Sequence, residues 1–239
     1  AMGARGTDVA REASALVLAD DDFASIVHAV RTGRRIFDNL RKATSYILAV
    51  HLPIAGISLA PLVAGWPLLL FPVHVVFLEL VIDPACSLVF EAEGDERDLM
   101  TRRPRARGAR LVDRATLLKS LLQGAAASVA VIVVYGLALR YADEAQARTL
   151  GFTTLLVANL ALIVLNRSPR RGWWANLVAP NPALRVVLAG AVLLYAATLL
   201  LPSLRTLFLF GWPGWPAIAA AIAAGLVAVL PLAWRRAPA

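Results

Sequence analysis

Two acids four residues apart, in sequence that is otherwise apolar, hold the chemistry of this chain. They are Glu79 and Asp83 in the stretch FLELVIDPACSLVFE, within an apolar run from about Pro67 to Phe90. A helix through this run puts both carboxylates on one face. Pro84 follows Asp83 directly. It has no N–H for the Leu80 carbonyl and its ring crowds the preceding turn, so the helix is expected to kink or open there. A charge at mid-bilayer costs about 2.5–3.5 kcal/mol on insertion scales, so two neighbouring acids need a partner or a wet cavity. Carboxylate oxygens beside freed backbone carbonyls form the oxygen cage that hard cations occupy. The competing reading is a neutralised pair at a helix interface. Kink and acids coincide, which favours the ion site.

Three further polar residues lie in apolar surroundings. His51 stands two residues before Pro53. It is a candidate to coordinate an ion, relay protons or pair with a carboxylate, and equally a histidine hydrogen-bonded to a neighbouring helix. His74 falls nearer the end of its run, where an interfacial role is expected. Asn159, in span four, is a candidate to reach the acids, but helix-packing glue is the expected role. Asp20, Asp21 and Asp22 form a second acidic group. With no other ligands beside them, they read as a loop and as the cap of a helix over Phe23 to Val30.

These residues need a scaffold, and composition names its class. Of 239 residues, 59% are hydrophobic and 17% charged, with mean hydropathy +0.67; soluble domains carry about 25% charged residues. A polytopic membrane protein is expected, in contact with the lipid bilayer. Six spans of roughly the required 20 residues are read at about 44–64, 67–90, 115–139, 149–165, 184–201 and 212–234. Trp66, Trp173, Trp174, Trp212, Trp215 and Trp234 fall near span ends, as an aromatic belt requires. Cys86 is the single cysteine, so no internal disulfide forms.

The net charge of +8 raises nucleic acid as a partner, and the placement of arginine removes it. Arg31, Arg34, Arg35, Arg41 and Lys42 precede span one. Arg97, Arg102, Arg103, Arg105, Arg107, Arg110 and Arg114 follow span two; Arg167, Arg170 and Arg171 follow span four; Arg235 and Arg236 follow span six. The other links carry few, so the positive-inside rule puts both termini in the cytoplasm. Frequent Arg and Ala fit a bacterial cell membrane.

Residues 1–32 read as soluble sequence that opens without a signal peptide. Ser14 to Leu18 suits a buried strand, and one strand with one helix cannot make a core. This piece is expected to be the tail of a larger domain. Residues 33–43 form a basic amphipathic stalk helix that runs unbroken into span one, and polybasic sequence there also suits anionic lipid. Residues 44–239 make the membrane domain. The expected fold is therefore all-α and polytopic, six transmembrane helices with a small α/β remnant at the N-terminus.

The opening GTDVAREASALVLADDDFASIVHAVRTGRRIFDNLRKATSYIL resembles the junction between phosphorylation domain and fifth transmembrane helix in cation-pumping P-type ATPases. FLELVIDPACSLVFEAE, with RDLMTRRPR after it, resembles their sixth helix and its exit. The rest is similar to their last four helices in number and orientation. The resemblance implies that the α/β piece is the end of the phosphorylation domain. The DKTGT and TGDGxNDAPAL motifs of such pumps are not in this sequence. The chain therefore holds no ATP or Mg2+ site of its own, and the complete pump is expected to use both. The remaining pump domains come in cis or as another chain.

By motif position, the resemblance implies that Asp83 matches the sixth-helix aspartate that binds the transported cation. Glu79 falls where those pumps have a ligating asparagine and Ile82 where they often have threonine. His51 falls at a ligand asparagine of the fifth helix, and Ile54 where calcium pumps have a ligand glutamate. A site of Asp83, Glu79 and His51 leaves calcium, a transition metal and a proton open as cargo. The alternatives to a pump's membrane domain are a passive channel or secondary transporter, or a membrane subunit of a split pump. The first needs symmetry between the halves of the chain, and the acids sit in one span only.

Overall fold

Several helix starts in this chain fall where a side chain takes up one of the first free N–H groups. Thr7 accepts from Ala10 N–H at 3.2 Å ahead of α1, Asp8–Ala13. The long α2, Ala24–Ala64, begins after the aspartates: Asp22 accepts from Ala24 N–H at 2.8 Å, and Asp20 accepts from the Ser25 hydroxyl. Pro72 opens α3, Pro72–Pro84, where a missing N–H costs nothing. Asp113 caps α4, Arg114–Tyr141, and Asp143 caps α5, Glu144–Asn166, at 2.7 and 2.8 Å. Then come α6, Trp173–Val178; α7, Pro182–Leu200, capped by Asn181; α8, Pro202–Leu207; and α9, Trp215–Val229, running into a 3₁₀ turn at Leu230–Ala233.

The structure is a computed structural model that describes residues 1–104 and 110–233. Arg105, Arg107, Trp234, Arg235 and Arg236 of the sequence reading lie outside the described residues. Six helices are long and apolar enough to cross a membrane: Ala24–Ala64, Pro72–Val89, Arg114–Tyr141, Glu144–Asn166, Pro182–Leu200 and Trp215–Leu232. The described residues form two units, one of residues 1–39 and 94–104, the other of 40–93 and 110–233.

In the first unit the expected α/β remnant is absent. Among the described residues there is no strand, only an isolated parallel bridge between Met2 and Leu18. A strand needs a neighbour to pair along its length. Ser14 to Leu18 finds only residues 1–3 to pair with: the Ala1 amino group donates to Leu16 O at 2.6 Å, Leu18 N–H to Ala1 O at 2.8 Å and Gly3 N–H to Leu18 O at 2.7 Å. Asp21, at φ +54°, closes the turn by accepting from Ala4 and Arg5 N–H. Residues 94–104 are strapped to the early part of α2: Arg102 pairs with Asp38 at 2.7 Å, and Arg34 donates to the Leu99 and Arg102 carbonyls.

In the second unit α5 is the central helix. Of its apolar window 89% is buried, against 22–39% for the other five. Small residues and threonines on α5 let neighbours approach to backbone distance. A Cβ on Gly225 of α9 would lie 2.8 Å from Thr154 O, and the Thr154 hydroxyl reaches across to Ala221 O at 3.2 Å. On α2, Pro53 and Pro61 sit inside an unbroken helix. The Ala49 carbonyl, deprived of a donor by Pro53, meets Gly124 of α4, where a Cβ would stand 2.6 Å away. A neighbouring helix that covers the freed carbonyl is what makes an intramembrane proline tolerable.

Candidate cation site

The turn after Asp83 sets the geometry of the candidate site. At Pro84 the α-helix gives way to a π-helical turn, Ala85–Val89, closed by Phe90 N–H donating to Ala85 O at 3.3 Å. Proline removes the bond to Leu80 O, and the wider turn is how the helix continues past it. The Ser87 hydroxyl donates to the Asp83 carbonyl at 2.8 Å. The helix therefore opens where its acids are.

Glu79 is half-buried, whereas Asp83 and His51 are exposed. His51 donates from Nδ1 to Ile47 O at 2.9 Å, and that tautomer leaves the lone pair on Nε2. Glu79 and Asp83 share a face of α3 by register. No group of three or more His, Cys, Asp or Glu among the described residues is close enough to hold a metal ion. The three residues thus do not close into a cage within this chain.

Asn159 departs from its expected role as packing glue. It is 1% exposed, and both its side-chain oxygen and nitrogen are buried without a hydrogen-bond partner. The Tyr46 hydroxyl on α2 is in the same condition. An amide that holds helices together makes bonds across the interface; this one makes none, and each unmade bond costs about 1–3 kcal/mol. Its amide is placed to bond a water, a cation or a carboxylate. Tyr46 carried no signal in the sequence, because tyrosine in an apolar run reads as packing.

His74 is not an interfacial residue. It is fully buried, its Nδ1 accepts from Phe71 N–H at 3.0 Å and its Nε2 donates to Phe208 O at 2.9 Å. Rings of Phe152, Phe208 and Phe210 surround it at 5.2–5.5 Å. With both nitrogens occupied it is a structural tie. Nearby, Arg148 donates to the Leu209 carbonyl at 2.9 Å and pairs with Glu144.

Comparison with known proteins bears on this geometry. A family model described as "Cation transporting ATPase, C-terminus" matches residues 67–237. A calcium-transporting ATPase of Bacillus subtilis is 35% identical over 196 residues, covering 80% of this chain and 21% of that protein. Calcium-transporting ATPase 1 of Lactococcus lactis is 30% identical over 96% of this chain and 26% of its own length. A calcium-transporting ATPase of Listeria monocytogenes is 31% identical over the same shares. The chain thus spans between a fifth and about a quarter of these relatives.

Proposed function

Since the chain belongs to the family of cation-transporting ATPases, as their C-terminal membrane region, we propose that it carries the transport carboxylates of a calcium pump. Asp83 and Glu79 supply oxygen ligands from α3, with the Leu80 carbonyl freed by Pro84 beside them. Oxygen donors suit calcium better than a soft metal. Asn159 of α5, buried with its amide unbonded, is the candidate further oxygen ligand, and His51 of α2 the candidate nitrogen ligand. The observation that carries the reading is an acid pair in mid-span at a helix opening, with Asp83 exposed. An ionised carboxylate in mid-membrane is not left against lipid, so the Asp83 side is covered by helices outside this chain.

The wider assignment rests on the same footing. Residues 1–32 are the tail of the phosphorylation domain, 33–43 the stalk and 44–239 the membrane domain, with both termini cytoplasmic in a bacterial cell membrane. ATP, Mg2+ and the remaining domains belong to the complete pump, in cis or on another chain. A passive channel is disfavoured because the relatives that match most of the chain are ATPases.

Calorimetry on the purified chain tests the site. Saturable calcium binding is expected, lowered at least about tenfold by Asp83→Asn and by Glu79→Gln. Binding unchanged in both variants would sink the assignment. His51→Gln separates the cargoes: a calcium site is expected to keep most of its affinity, whereas a zinc site loses an imidazole ligand.

A further inference from the structure

The end of the π turn is held by a buried ion pair with no evident need to be there. Glu93 and Arg167 have side chains 3% and 0% exposed. Glu93 Oε2 accepts from Arg167 Nε at 2.8 Å and from Asn181 Nδ2 at 3.2 Å. Its Oε1 accepts from Arg167 Nη2 and from Arg171 Nη1, both at 3.3 Å. Arg167 Nη1 donates on to the Asn176 and Ala179 carbonyls. Asn181 Nδ2 also donates to Val89 O, the last carbonyl of the π turn, at 3.0 Å, while its oxygen caps α7 through Leu184 N–H. One residue therefore ties the end of the π turn to Glu93 and to the start of α7.

A hydrophobic replacement of a buried ion pair is often as stable, so stability alone does not explain this one. The position does. A π turn closes i to i+5 where an α-turn closes i to i+4, and each residue of helix turns the chain by about 100° and advances it by about 1.5 Å. A return to α geometry must displace one end of the segment. Glu93, bonded on both oxygens, and Val89, held by Asn181, fix the C-terminal end. We propose that the Glu93–Arg167–Asn181 cluster is a register lock on the π turn, and that it thereby sets which way Asp83 faces. The Asp83 part rests on the ligand reading above; the lock itself does not. Glu93, Arg167 and Asn181 are positioning residues, ten or more positions along the chain from Asp83.

The chain's single cysteine makes the register measurable without any ion. Cys86 is half-buried within the π turn, so a change of register turns it to a new environment. The experiment is the rate of N-ethylmaleimide alkylation of Cys86 in the full chain in lipid nanodiscs, with calcium affinity measured alongside. Two variants are compared with wild type. Glu93→Gln keeps the shape and removes the charge. Glu93→Gln with Arg167→Met removes both fully buried charges and leaves only the partly exposed Arg171 without its carboxylate, and helical circular dichroism checks that it folds. The lock predicts a several-fold change in alkylation rate in both variants and an approximately tenfold loss of calcium affinity. An unchanged alkylation rate in the folded double variant overturns the lock. An altered rate with undiminished calcium affinity, where Asp83→Asn abolishes binding, overturns its control of Asp83. Calcium binding that survives Asp83→Asn instead overturns the ligand reading, and the cysteine rate still decides the lock.

Discussion

Asp113 shows how much a single cap is worth in this chain. Its carboxylate accepts from Thr116 N–H at 2.7 Å and pairs with Arg41. The Thr116 N–H, then the Thr116 hydroxyl and Arg41, hold it below the usual 3.8 despite partial burial. A depressed carboxyl contributes stability that is complete above the unfolded value and lost as pH falls through the folded one. Asp113→Asn keeps the cap without the titration. Thermal unfolding in detergent is expected to show wild type losing ground to Asp113→Asn only below about pH 4. Asp113→Ala removes the cap and is expected to cost about 1 kcal/mol at neutral pH. The sequence reading assigned a cap only to Asp20, Asp21 and Asp22; Asp113 was passed over, because a cap shows itself only once the helix start is placed.

Among elements, α3 and its π turn follow from one residue, and the α2–α4 contact from another. The opening at Pro84 was predictable from the missing N–H; its π geometry was not, because several distortions satisfy a proline. Gly124 was silent in the sequence, since a glycine in a membrane helix has no partner until α2 is placed beside it. A Cβ there meets the Ala49 carbonyl and the Leu52 Cβ at 2.6 and 2.8 Å, and backbone yields poorly. Gly124→Ala is therefore expected to destabilise by about 1–3 kcal/mol although alanine is the better helix former. A lowered midpoint in detergent melts tests it; a raised midpoint means the helices separate without penalty. The strand expected over Ser14 to Leu18 failed for the same reason in reverse. Its apolar pattern was sound, but pairing partners are a tertiary property, and one bridge is all that residues 1–39 supply.

At the scale of the whole molecule, the described residues hold six helices long and apolar enough to cross a membrane. No DKTGT motif occurs in the 239 residues, so purified chain given radiolabelled ATP is expected to form no phosphoenzyme. An acid-stable, hydroxylamine-sensitive label on it would defeat that expectation. Membrane class, six apolar spans, the acid pair and its proline were all determined by the sequence, because hydropathy and helix register are local properties of the chain. Which helix stands at the centre was not, since α5 is no more apolar than α4 or α7 yet is the most enclosed. The condition of Asn159, buried with both polar atoms unmet, and the role of His74 as a closed tie were likewise decided by tertiary structure. Each depends on what other helices bring near, and a neighbour across a helix interface leaves no mark on local sequence.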